Sequence, residues 1–244
     1  MAWARFLDPA GSVRIGEWTQ DGLVADRHYS LEEVTVLAPT EPSKMVCVGR
    51  NYAEHADEMD SELPDRPTLF LKPPNAVSHH GATVTLPAGK DRLDQEGELA
   101  VVIGEQCRHV DASDAMAVVD GYTAGVDLSN RDDQRREQNW VRGKAFDNAS
   151  PLGPALVPSA AVPDDATLEC RVNGELRQSA SIDDMIFGVP ELIAEITAYL
   201  TLEPGDVILT GTPAGVGPLA DGDTVTVDID GVPTLRHHVR IPAA

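Results

Sequence analysis

The chain has 244 residues, with 40 acidic side chains against 19 basic ones and a net charge of −21. Such a surface repels phosphate backbones and anionic lipid, so neither nucleic acid nor membrane is an expected partner. An apolar fraction of 42% supports the core of one large domain and excludes wholesale disorder.

Arginine outnumbers lysine, which stands only at Lys44, Lys72, Lys90 and Lys144. The acidic excess points to adaptation to high salt, where carboxylates keep the surface hydrated and screening tolerates self-repulsion. Cys47, Cys107 and Cys170 lie far apart, with no CxxC and no even-numbered framework. They are expected to be reduced, buried thiols of a cytoplasmic protein. No apolar run approaches the ~20 residues of a membrane span, and Met1 to Arg5 carries no signal-peptide core.

In chain order, Ala2 to Leu7 and Val13 to Trp18 read as strands joined by turns, within a small N-terminal β segment spanning residues 1–42. The remainder, 43–244, reads as the main domain. Met45 to Gly49 is a short buried strand, and residues 50–59 are polar or one to two helical turns. Thr68 to Leu71 is a strand stopped by Pro73-Pro74. Glu98 to Ile103 is a strongly apolar strand, 111–119 a helix capped by Asp111 or Ser113, and Tyr122 to Leu128 a strand. Residues 131–139 have helical composition. Asn173-Gly174 between extended flanks marks a hairpin. Residues 190–200 form the clearest helix, with a proline in its first turn and Leu192, Ile193, Ile196 and Leu200 on one face. Val207 to Thr210 is a strand entering a glycine-rich turn, and Thr224 to Arg240 closes the chain as a hairpin about Asp230-Gly231. Many short strands with two or three helices define a β-rich α+β fold.

Several residues are placed to do chemistry. Glu96-Gly97-Glu98 puts two carboxylates on one strand face, roughly 6.5–7 Å apart along the chain, with Gly97 free to bend the backbone so that they converge. In so acidic a chain about six acid-any-acid spacings arise by chance; this pair stands out because it opens a buried strand. Asp127 ends another apolar strand and reads equally as a turn or cap residue; three strand-end carboxylates would suit Mg²⁺, Mn²⁺ or Ca²⁺ rather than Zn²⁺. His55 and Glu58, spaced i, i+3, share a face if helical and can pair as a water-activating base, or simply decorate a surface. Lys144 keeps a compact point charge where arginine is the habit. The turn 210–217 can wrap a small anion with backbone amides, or serve only as a tight loop. His79-His80 and His237-His238 read as solvated pairs.

Taken together the segments resemble the fumarylacetoacetate hydrolase family. The motifs that carry the likeness run in family order from Lys44 to Arg240. They are Gly49-Arg50-Asn51-Tyr52-Ala53-Glu54-His55, Phe70-Leu71-Lys72-Pro73, Glu96-Gly97-Glu98, Gly121-Tyr122-Thr123 leading to Asp127, Arg131-Asp132-x-Gln134, Gly143-Lys144-x-Phe146-Asp147, and Gly205-Asp206-Val207-Ile208-x-Thr210-Gly211-Thr212-Pro213-x-Gly215-Val216-Gly217. Each motif is weak alone; seven in order are specific. The N-terminal 40 residues resemble the short segment found on some bacterial and archaeal members.

The resemblance implies a mixed β-roll with a few short helices, usually a homodimer. It implies Mg²⁺ or Mn²⁺ on Glu96, Glu98 and Asp127, a water-activating pair in His55 and Glu58, and Lys144 as the oxyanion lysine. It places Arg131, Gln134, Thr212 and Lys72 among the substrate-orienting positions. Asn130 departs from the family's frequent alanine, and Asp133-Gln134-Arg135-Arg136 is unusually charged. The implied substrate is a small 2-oxo acid with a second carbonyl or carboxyl nearby. The implied activity is hydrolysis of a C–C bond in an acylpyruvate, such as fumarylpyruvate or acetylpyruvate, through a metal-stabilised enolate. The same site would serve an isomerase of an unsaturated 2-oxo diacid (2-hydroxyhepta-2,4-diene-1,7-dioate) or an oxaloacetate decarboxylase, as in aromatic-acid catabolism. A non-catalytic, metal-stabilised binding protein is the alternative from another class.

Overall fold

Met45–Gly49 and Val207–Leu209 are unbroken runs of apolar residues, and the computed structural model lays them side by side, parallel, inside a sheet. Strands buried on both faces need this continuous hydrophobic character. The structure describes residues 1–53 and 64–242, so His55 and Glu58 lie outside the described residues.

Twelve strands among the described residues form the main sheet. Its centre runs Ser150–Val157, Val119–Val126, Gly97–Ile103, Val207–Leu209, Met45–Gly49, Thr68–Lys72. A second, five-stranded sheet contains the expected hairpins Thr167–Val172 with Glu175–Ser181 and Thr224–Ile229 with Val232–Arg240. Asn173 and Gly174 take φ of 52° and 83°, the left-handed pair that an Asn-Gly turn supplies at low cost. Leu99, Val101 and Val126 of the main sheet share one core with Val227, Leu235 and Val239 of the second. The result is the β-rich α+β roll expected of the family.

Residues 1–42 build onto this body. Ala2–Leu7 pairs antiparallel with Ser150–Val157, extending the main sheet, and Ala155 joins the small cluster of Phe6, Leu23 and Tyr29.

The clearest expected helix forms as α1, Val189–Tyr199, with Leu192, Ile193 and Ile196 buried and the Glu191 carboxylate accepting from the Gly188 amide at 2.9 Å. The other two helices shrink. Ala112–Val118 is a run of 3₁₀ turns, and its Asp111 cap makes no side-chain bond. Helix α2, Arg131–Gln134, is a single turn. Asp132 and Asp133 are drawn off it, accepting from the Asp91 amide and the Lys90 ammonium, each at 2.8 Å.

The pairing of histidines as solvated is overturned for His237. Strand alternation turns Leu235, His237 and Val239 inward together, so its ring is fully buried and neither nitrogen has a hydrogen-bond partner. The His238 backbone comes near the ring without closing a bond. Burial pushes the His237 pKa down to about 4.

Candidate active site

Strand Gly97–Ile103 carries the acidic pair to the centre of the main sheet. Gly97 pairs with Val126, which brings Asp127, one residue beyond, beside Glu96; the Asp127 amide donates to the Glu96 carbonyl at 2.9 Å. Gly97 is required for a reason other than bending. A Cβ there would lie 3.0 Å from Cys170, so its bare α-carbon lets the second sheet approach. Glu96 and Glu98 turn the other way, and carboxylate oxygens of Glu96, Glu98 and Asp127 lie within 4.8 Å of one another, all three residues buried.

The cations around them alternate with the acids. Lys144, buried at the end of the single-turn helix Val141–Lys144, donates to Glu96 Oε2 at 2.7 Å and Asp127 Oδ2 at 2.5 Å. Burial disfavours its charge, yet attraction to Asp127 and Glu96 overrides this and holds its pKa above the ordinary lysine value. Arg131 donates to Glu96 Oε1 at 2.6 Å, to Asp94 Oδ2 at 2.8 Å and to Gln134 Oε1 at 2.5 Å. Its guanidinium is thus committed to aiming Glu96 and Gln134.

Lys72 stands apart from the substrate-orienting group in which it was expected. It is fully buried, does not line the cleft, and donates to Asp127 Oδ1 at 2.5 Å and the Ala149 carbonyl at 3.0 Å. Its strand, Thr68–Lys72, runs beside Met45–Gly49 and delivers the ammonium to the far side of the carboxylate.

Glu98 is the carboxylate short of positive charge. It accepts from the Gly211 amide at 2.7 Å, and burial, followed by repulsion from Asp127 and Glu96, raises its pKa well above the carboxylate range. One backbone amide of the glycine-rich turn is thus spent on the protein's own Glu98 side chain. Thr212 fixes the same turn, donating to the Gly97 carbonyl at 2.8 Å and accepting from Gln178 Nε2 at 2.7 Å. An all-oxygen set with one under-compensated carboxylate fits a hard divalent cation.

Above the acids lies a cleft of about 80 Å³ lined by Glu96, Arg131, Gln134, Lys144 and Thr212 at its base. Phe70 and Trp140 form an apolar wall, with ring centroids 5.3 Å apart and the Lys144 ammonium 5.4 Å from the Phe70 ring. The space is far below the 300–1,000 Å³ of drug-sized ligand sites and suits a small acid. A larger hollow of about 480 Å³ at Met116, Tyr122 and Pro163 is mainly apolar and holds no convergent polar set, so the smaller cleft carries the function.

Sequence reasoning missed Asp94, Asn51 and Gln178, which hold the site from behind. Asn51 sits in a quoted motif, but nothing local shows that it bonds Phe187 and Thr210. Asp94 and Gln178 have no local signal at all.

The fold is a β-roll that buries three converging carboxylates, a set that could hold a divalent cation, beside a small polar cleft. The model of the fumarylacetoacetate (FAA) hydrolase C-terminal domain matches residues 44–240, and the chain belongs to that family. It is 44% identical to the oxaloacetate tautomerase YisK of Bacillus subtilis, over 94% of this chain and 82% of that protein. It superposes with a TM-score of 0.90 on 5-carboxymethyl-2-hydroxymuconate delta-isomerase from Mycobacterium smegmatis, at 40% identity and with both chains fully covered. Fumarylpyruvate hydrolase from Pseudomonas aeruginosa, solved with Mn²⁺ and pyruvate, matches at 30% identity and TM-score 0.78, over 92% of this chain and 99% of that one.

Proposed function

We propose that the chain is a divalent-cation-dependent enzyme acting on a 2-oxo diacid, and that it isomerises this acid by moving a proton between carbon and oxygen. The observation that carries this reading is the buried convergence of Glu96, Glu98 and Asp127. These three would hold Mg²⁺ or Mn²⁺, which would polarise a 2-oxo carbonyl and steady the charge of its enolate.

The chain's own groups do the rest. Lys144 has three N–H donors and spends two on carboxylates, leaving the third to neutralise an oxyanion in the cleft that it lines. Arg131 and Lys72 keep Glu96 and Asp127 aimed. Gln134 and Thr212 offer polar contacts at the base of the cleft. Phe70 and Trp140 exclude water from one side and so strengthen these interactions. Isomerisation comes first because it needs no attacking water, and because the relatives named as tautomerase and isomerase are 44% and 40% identical to this chain, against 30% for the fumarylpyruvate hydrolase.

Hydrolysis of an acylpyruvate is the second reading, favoured by the His55 and Glu58 pattern and by the fumarylpyruvate hydrolase relative. There His55, oriented by Glu58, would take a proton from water. Oxaloacetate, fumarylpyruvate, acetylpyruvate and a heptadienedioate, each supplied with Mg²⁺ or Mn²⁺ and again with chelator, test both readings. Proton exchange or double-bond shift without pyruvate release supports isomerisation, and release of pyruvate and a carboxylic acid supports hydrolysis. Turnover that survives complete chelation contradicts both.

A further inference from the structure

We propose that Arg50 reads a second, distal carboxylate of the substrate and so sets the preference for diacids over monoacids; this rests on the reading of the cleft as a 2-oxo acid site. An exposed arginine is ordinary on a protein surface. Three observations set this one apart.

The first is its place. Arg50 follows strand Met45–Gly49 directly and lines the cleft, yet it is exposed whereas Glu96, Arg131, Lys144 and Thr212 are buried. It therefore marks the outer rim of the cleft.

The second is its freedom. Of the cations lining the cleft, Lys144 and Arg131 are committed to protein carboxylates. Among the described residues, Arg50 makes no hydrogen bond and no ion pair. In a chain of net charge −21, an arginine that pairs with none of the described carboxylates is free to bind an incoming one.

The third is its backbone. Arg50 has φ of 59°, the left-handed region that a residue with a Cβ enters only when its surroundings impose it. Those surroundings are visible in the next residue. The Asn51 amide donates to the Phe187 carbonyl at 3.0 Å and the Thr210 carbonyl at 2.8 Å, its Oδ1 accepts from the Phe187 amide at 2.8 Å, and its own carbonyl accepts from the Ile186 amide at 2.8 Å. Strand and anchor pin the turn from both sides, and the side chain leaves it at the cleft. Glycine would take this conformation without strain; here an arginine holds it. The planar fork of a guanidinium matches a carboxylate in two parallel hydrogen bonds.

The test compares wild type with Arg50→Met, Arg50→Lys and Arg50→Gly, each loaded with Mn²⁺. The readouts are KM and kcat for oxaloacetate, which has the second carboxylate, and the inhibition constant of pyruvate, which lacks it. In Arg50→Met the KM for oxaloacetate is expected to rise ten- to a hundred-fold, far more than the pyruvate constant, with kcat changed least. Arg50→Lys should recover part of the loss. Arg50→Gly, which relieves the backbone, should melt no lower than wild type while showing the same KM defect, which separates recognition from folding. If KM and the pyruvate constant move together, or neither moves, the inference falls while the proposed function stands. A wild type inert toward every 2-oxo acid overturns both.

Discussion

Glu98 and His237 are each ionisable groups held out of water, with opposite consequences. Glu98 sits in a cluster that supplies Lys144 and Lys72 to its neighbours and only an amide to itself. A divalent cation held there would complete that cluster, so Mn²⁺ should raise the melting temperature in a concentration-dependent way, the stabilisation reaching about 2.7 kcal/mol at a hundredfold excess over its dissociation constant. Glu96→Gln removes one ligand and should lower Mn²⁺ affinity at least tenfold, with turnover falling further and the fold retained; calorimetric titration and thermal melts separate the two. A fold lost with the metal, and no turnover to lose, would favour a structural metal site in a binding protein. His237 has no such completion. Its pKa of about 4 lies below the ordinary imidazole value near 6.5, so the unfolded chain binds more protons between those limits. Stability is therefore complete above about pH 6.5 and falls as the pH drops towards 4, by on the order of 3 kcal/mol. His237→Leu should flatten that acid loss, and should stabilise the protein by about 1–2 kcal/mol at pH 7 by removing two unpartnered buried nitrogens; denaturant melts from pH 4 to 8 read both.

At the scale of elements, strands and turns were legible, and short helices were not. Alternation, apolar runs and the Asn173-Gly174 and Asp230-Gly231 turns act over a few residues, and those hairpins stand where expected. The helix expected at 131–139 is a single turn, and the Asp132 and Asp133 carboxylates tie that turn to Asp91 and Lys90, about 40 residues away along the chain. The glycine-rich loop was recognised, but not what it packs against. Gly215 has φ of 97°, and a Cβ there would meet the Arg177 carbonyl at 1.9 Å. Gly215→Ala must displace the loop that carries Gly211 and Thr212. It should cost upwards of ~3 kcal/mol, through strain and a clash with rigid backbone, and should weaken Mn²⁺ binding along with stability. A stable variant with unchanged metal affinity would show that the loop does not position Glu98.

For the molecule as a whole, charge and assembly make the remaining predictions. A net charge of −21 is a self-repulsion that salt screens, so the melting temperature should climb steadily from low ionic strength to molar KCl. A flat profile would remove the case for salt adaptation. We expect a homodimer, which sedimentation at those same salt concentrations would establish or exclude. The sequence alone determined the β-rich class, the strand and hairpin positions and the acidic surface, because periodicity, turn chemistry and composition are local or additive properties. The family likeness anticipated Asp127 beside Glu96 and Glu98, which the residues alone left open; only the tertiary structure decided that Lys72 braces a carboxylate instead of lining the cleft, and that His237 is buried. Each depends on contacts between residues distant along the chain, and a side chain's burial and partners exist only once those contacts have formed.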